Sequence, residues 1–172
     1  MKSPASDSHR LFVINGAELP LSGAALLELM QAVFARGMPF RFRARGWSMA
    51  PFIRDGDVIS VSPRQQTPAR TGQVVAFIHP ETGKLVVHRV IGKRDNACLI
   101  QGDNVPDGVD GLIPEASVLG RVTRVERGGR SVWLGLGPER YAIAYLSRTG
   151  MLVPIIVRIA PFLRPFLRRS TQ

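Results

Sequence analysis

The feature that most limits what this chain can become is a series of short apolar runs, rich in β-branched residues, each closed off by a glycine, proline or Asp/Asn turn. Phe40, Phe42 and Ala44 alternate with Arg41, Arg43 and Arg45, the period of a half-buried strand. Runs at 57–61, 73–78, 85–91, 97–101 and 118–126 carry the same strand chemistry. Pro80-Glu-Thr-Gly83 reads as a tight hairpin connection, and Gly128-Gly129 leads into a further strand beginning at Ser131. A sheet built from such pieces is antiparallel. The predicted fold class is therefore mainly β: a small coiled, barrel-like antiparallel domain with helix confined to the ends.

The ends differ from the middle. Residues 1–20 read as irregular with one short strand at 11–14, after which Ser22 stands where an N-cap would. Leu26, Leu27, Met30, Val33 and Phe34 then recur at helical spacing up to Gly37, as one amphipathic helix whose apolar stripe suits core packing. After Glu139 no acid follows, whereas Arg140, Arg148, Arg158, Arg164, Arg168 and Arg169 do. This divides the chain into an N-terminal extension at 1–39, a β domain at 40–138 and a basic apolar C-terminal segment at 139–172. With 172 residues, one core is expected rather than two full domains.

The formal charge of +10 calls for an anionic partner. The C-terminal arginines are interleaved with Pro154-Ile-Ile-Val and Pro161-Phe-Leu, a pattern that suits a membrane surface, or two short helices packed on the protein itself, and no nucleic acid partner is expected. Residues 1–9 are polar and the apolar run at 11–14 is broken by Asn15-Gly16, so no secretory signal is expected. The expected location is membrane-associated, otherwise cytoplasmic. Cys98 is the single cysteine; it excludes an intrachain disulfide and suits a buried small hydrophobe.

Special residues are densest from Gly46 to Asp57. The strand from Phe40 delivers Ser48 to a turn, and Pro51 keeps that strand from continuing as a central ladder member. A serine before a turn ordinarily bonds its own loop. This segment, however, reads Ser48-Met49-Ala50-Pro51 with Gly56-Asp57, and it is followed in order by Gly72-Gln-Val-Val-Ala-Phe-Ile, His88-Arg89-Val90 and Gly102-Asp103-Asn104. Those four motifs, spread over roughly residues 40–125, resemble the signal peptidase I superfamily of serine proteases.

The resemblance implies Ser48 as nucleophile and His88 as general base. Bacterial signal peptidases and the related SOS-repressor autoproteases carry lysine at the base position, whereas the archaeal and endoplasmic-reticulum branch carries histidine, as here. An imidazole is already partly neutral at pH 7 and needs no burial to accept a proton. Lys84 lies four residues upstream, about 13 Å along a strand, beside a turn that keeps it solvated. His79 precedes a proline at a turn and is a distant second candidate base.

A histidine base needs a group to hold its tautomer, and a carboxylate does this well. The loop 101–110 offers Asp103, Asp107 and Asp110. Asp103 is assigned as a loop anchor, with Asp110 or Asp107 as the orienting group. The acid spacing lacks the calcium-loop pattern, and no metal or cofactor is expected. Family members usually carry Ser-Gly before the nucleophile, the hydroxyl helping to bind the oxyanion; here Gly46 and Trp47 stand there. Gly46, Trp47 and Met49 are thus the candidate oxyanion and substrate-binding positions, with the Ser48 N–H as the chief donor. The implied partner is a peptide or protein bound as an added strand beside residues 40–47 and 74–80 and cut after a small residue. An SOS-repressor-like autoprotease and a non-catalytic peptide-binding or membrane-adaptor module are the alternatives, although residues 1–39 hold too little helix for a helix-turn-helix domain.

Overall fold

A computed structural model describes residues 10–14, 17–21, 23–64, 67–105 and 108–159, with side chains from residue 23 onward. The strands are β1 (Arg10–Ile14), β2 (Ala17–Leu21), β3 (Phe40–Arg43), β4 (Val58–Pro63), β5 (Val74–Ile78), β6 (Leu85–Arg94), β7 (Ala97–Gln101), β8 (Val109–Pro114), β9 (Val118–Arg127) and β10 (Arg130–Val132). Helix α1 spans Gly23–Phe34, α2 spans Arg140–Arg148 and α3 spans Leu152–Ile159.

The strands form one antiparallel sheet in the order β2-β1-β3-β4-β9-β5-β6-β7-β8, with β10 attached to β9. The mainly β, coiled antiparallel architecture is as expected, and the sheet is open rather than closed: β2 and β8 end the path and are not paired with each other among the described residues. Shifts of register at Ser60/Val61, Ala76/Phe77, Val90/Gly92 and Ile100/Gln101 bend the sheet instead. Two strands escape the sequence reading. One is β2, within the stretch read as irregular. The other is β8, whose Asp110, Gly111 and Pro114 look like loop chemistry although the segment ladders onto β7 from Gln101↔Val109 to Ala97↔Pro114. At the other extreme, the strand from Phe40 ends at Arg43, and the last strand ends at Val132, leaving Trp133 75% exposed.

The N-terminal segment is integrated with the body. Hairpin β1–β2 extends the sheet through Phe12↔Phe42, and α1 sends Leu26 and Met30 into the same buried cluster as Phe40, Phe42, Met49, Ile59 and Val61. Each of these large side chains contributes ~1.5–3 kcal/mol on burial. A second cluster, with Val75, Phe77, Val90, Ile100 and Ile113, lies under β5–β8. At the C-terminal end, α2 and α3 meet at 115° and bury Ile143 and Leu152 against Phe52, which belongs to the segment after Ser48. No single helix among the described residues is long and apolar enough to cross a membrane. Ser22, Asp107, Arg164, Arg168 and Arg169 lie outside the described residues.

Candidate active site

Segment 44–57 leaves the sheet after β3 and returns into β4, and its two ends are tied together. Ala44 N–H donates to Asp57 O at 2.7 Å and Gly56 N–H to Ala44 O at 2.9 Å. Higher up, Gly46 N–H donates to Asp55 Oδ1 at 2.8 Å. Buried Asp57 accepts from Arg127 Nε at 2.9 Å, Arg127 Nη2 at 2.7 Å and the Arg54 N–H at 2.8 Å. This is a carboxylate held by a two-pronged guanidinium, the strongest kind of side-chain pairing available to it. The Gly-Asp pair after Ser48 therefore anchors the turn. Met49 reaches down into the core and pins the turn from below, while Trp47 stands 65% exposed above it.

A second strap comes from residues 102–104. Asn104 N–H donates to Ser48 O at 2.7 Å, and Asn104 Nδ2 donates to Trp47 O at 3.2 Å. Gly102 sits so close that an added Cβ would lie 2.8 Å from Ser48 O, 3.1 Å from His88 Nε2 and 3.2 Å from Ser48 Cβ. Only a residue without a side chain lets these two segments meet.

His88 reaches Ser48 through sheet register. It pairs with Val75 on β5, and its neighbour Arg89 pairs with Gln101 on β7, which in turn pairs with Val109 on β8. Strand alternation turns His88 and Arg89 to opposite faces. His88 Nε2 lies 2.8 Å from Ser48 Oγ, and His88 Nδ1 lies 2.6 Å from Asp110 Oδ2. With Asp110 accepting the Nδ1 proton, Nε2 is left with the lone pair that can take the serine proton. The His88 and Asp110 side chains are 12% and 14% exposed, which limits competition from water.

On the other face Arg89 is fully buried. Its Nε and Nη2 donate to Asp103 Oδ1 and Oδ2 at 2.8 and 2.7 Å, its Nη1 donates to the carbonyls of Gly72 and Gly135, and its guanidinium lies over the Phe52 ring. Burial pushes the Asp103 carboxyl up, and the hydrogen bonds and charge of Arg89 oppose the push. The pair ties the 102–104 strap to β6, one residue from His88. Asp103 thus occupies an anchoring position, and Asp110 is the carboxylate at the histidine. His79 is elsewhere: its Nδ1 accepts from the Glu81 N–H within the β5–β6 turn.

A cleft of about 110 Å³ opens beside Ser48, lined by Ala44, Gly46, Met49, Val87 and His88 among others. Along it, Val86, Val87 and His88 pair with β5 on one side, while the β6–β7 ladder begins only at Arg89↔Gln101. No strand among the described residues occupies the other side. Residues 74–78, by contrast, are flanked by β6 and β9, so the edge expected there for an added strand is already paired on both sides. Gly46 N–H is committed to Asp55, which removes it as an oxyanion donor, and Met49 is a core residue at the cleft floor. The Ser48 N–H has no hydrogen-bond partner among the described residues and remains available.

Among the described residues no group of three or more His, Cys, Asp or Glu could hold a metal ion. Cys98 is buried in the second cluster, and burial pushes its thiol up, away from nucleophilic use. Two contributors have no role in the sequence reading, Gly102 and Asn104; the Gly-Asp-Asn motif that contains them was the available signal. A model of the family described as Peptidase S24-like matches residues 20–123, a span that includes Ser48, His88 and Asp110. No curated protein matches the chain.

Proposed function

The chain belongs to the Peptidase S24-like family, a family of serine peptidases, and on that footing we propose that it is an endopeptidase of signal peptidase I type that cleaves a leader or precursor peptide. The observation that carries this reading is the continuous hydrogen-bonded line from Ser48 Oγ through His88 to Asp110, at 2.8 and 2.6 Å. Ser48 Oγ attacks the scissile carbonyl carbon while His88 Nε2 takes its proton, and Asp110 stabilises the resulting imidazolium. The Ser48 N–H binds the developing oxyanion. His88 then protonates the departing amine, leaving an acyl-serine. Water, deprotonated by the same imidazole, releases the acid and restores Ser48.

The substrate lies extended between residues 44–47 and the 86–88 edge, adding one strand to the sheet. The small volume of the cleft and its Ala44, Gly46 and Val87 walls favour a small residue at the cleaved position. Attachment to a membrane runs through the C-terminal segment: Tyr141 and Tyr145 on α2, Met151 in the connection and Val157 on α3 are exposed, interspersed with Arg140, Arg148 and Arg158. The experiment is cleavage of an extended peptide pool, varied at one small residue, by the intact chain and by Ser48→Ala. Processing that persists in Ser48→Ala sinks the reading. The family match also favours a second reading, self-cleavage of the autoprotease kind; mass spectrometry of the incubated chain distinguishes it, because truncation of the wild type alone without turnover of added peptide would replace the first reading with the second.

A further inference from the structure

A larger cavity, of about 360 Å³, shares no lining residue with the cleft at Ser48. Its volume falls in the range of small-molecule sites. Three separate segments bring arginines to its wall: Arg64 and Arg70 from the stretch between β4 and β5, Arg121 from β9, and Arg140 from the start of α2. Glu115 is the one acid on that wall, and it is already engaged, its carboxylate accepting from the Ala69 N–H at 2.7 Å and from Lys93 Nζ at 3.5 Å. Four guanidinium groups against one occupied carboxylate leave a strongly positive concavity.

The arginines are not consumed by internal pairing. Arg70 and Arg121 are exposed, and their side chains have no hydrogen-bond or ion-pair partner among the described residues. Arg140 donates to Leu136 O and to the Tyr141 hydroxyl, but its Nε is buried with no hydrogen-bond partner. Tyr141 adds to the same cluster: the hydrogen bond from Arg140 and the charges of Arg140 and Arg70 hold its hydroxyl below the usual tyrosine range.

We propose that this cavity is a binding site for a phosphate ester, held by Arg70, Arg121 and Arg140. A phosphate presents enough acceptor oxygens to receive several guanidinium forks at once, whereas a carboxylate saturates with one or two. The phosphate can belong to a soluble ester or to the headgroup of an anionic lipid. Tyr141, exposed on α2 beside Arg140 and Arg70, stands where a headgroup in the pocket would place the bilayer interface, and exposed Tyr145 follows one helical turn on. The three arginines stand apart from the peptidase chemistry: none of Arg70, Arg121 and Arg140 is hydrogen-bonded or ion-paired to Ser48, His88 or Asp110, although the cavity wall includes Val75, the β5 register partner of His88.

Titration calorimetry of glycerol phosphate into the intact chain tests this, with flotation on phosphatidylglycerol vesicles against phosphatidylcholine vesicles as a second arm. The wild type binds glycerol phosphate saturably, and Arg70→Gln/Arg121→Gln weakens binding at least tenfold with unchanged melting temperature. If the double variant melts early, the Arg70→Gln chain, altered only at an exposed loop position, is read in its place. Vesicle retention that falls in the variant assigns the phosphate to a lipid headgroup. Retention that is unchanged while glycerol phosphate binding is lost assigns it to a soluble ester. No binding by the wild type, or equal binding by wild type and variant, overturns the proposal.

Discussion

Replacing Gly102 by alanine tests how closely Ser48 and His88 are held. The new Cβ would sit 2.8 Å from the carbonyl oxygen of Ser48 and 3.1 Å from His88 Nε2, both well inside van der Waals contact. The carbonyl has little room to retreat, because it accepts the Asn104 N–H at 2.7 Å. Nor can residue 102 back away freely, since the next residue is fixed to Arg89 by two charge-assisted bonds. Relief must therefore come from a shift of the Ser48 turn or of the imidazole, by several tenths of an ångström to ~1 Å. A ~1 Å misplacement of reacting groups costs ~100-fold in rate, equal to ~2.7 kcal/mol of barrier. Overpacking of a buried site adds ~1–3 kcal/mol of destabilisation. The assay is the rate at which a fluorophosphonate acylates Ser48, followed by intact mass, together with a thermal melt. Gly23→Ala serves as control, because a Cβ there meets nothing within 4 Å. Acylation of Gly102→Ala at the wild-type rate would refute the account of this contact.

Three further outcomes follow from the same geometry. Asp110→Asn keeps the shape but lets an amide face Nδ1, so the tautomer that accepts the serine proton is lost and acylation falls ~10²–10⁴-fold without a change in melting temperature; a rate within threefold of wild type contradicts this. Asp103→Asn strips the charge partner from a guanidinium with no solvent exposure and costs ~3–5 kcal/mol in denaturant unfolding, a loss below 1 kcal/mol being the contrary result. Glu139 accepts the Gly135 and Gly137 N–H groups at 2.7 and 3.0 Å; burial pushes its carboxyl up, but backbone hydrogen bonds and the charge of Arg89 prevail and hold it below its ordinary value of 4.5. A depressed carboxylate stabilises the fold fully above its ordinary value and loses that contribution as pH falls through the folded-state value. Glu139→Ala should accordingly cost ~1–3 kcal/mol at pH 7, with the gap to wild type closing below pH 4.5, and a gap constant down to pH 3 would count against it.

Much of this architecture can be read in the residues because the strands β4, β5, β6, β7 and β9 are locally consistent, with β-branched runs and clear turn signals at their ends. Helix α1 is legible for the same reason, its stripe of Leu26 and Met30 having the period of a buried face. β8 is not, since Asp110 and Gly111 prefer turns in isolation and are held extended by their ladder to β7. That tertiary pairing is also why Asp110, rather than a loop carboxylate chosen by spacing, meets His88. The openness of the sheet was hidden for a related reason: whether the ends of a coiled sheet join depends on bulges and register, which no single run of residues reveals. Gly102 is marked only by the Gly-Asp-Asn motif that contains it, because its necessity lies in what approaches it, Ser48 from 54 residues upstream and His88 from 14.

The most direct measurement for the central claim is labelling of the intact chain by a fluorophosphonate, with the adduct located by peptide mass spectrometry. One adduct is expected, on Ser48, absent in Ser48→Ala and formed at least 100-fold more slowly in His88→Ala, where the imidazole 2.8 Å from Ser48 Oγ is no longer there to take its proton. Labelling of Ser48 at the same rate with and without His88, or no labelling of a folded wild-type chain, would contradict it.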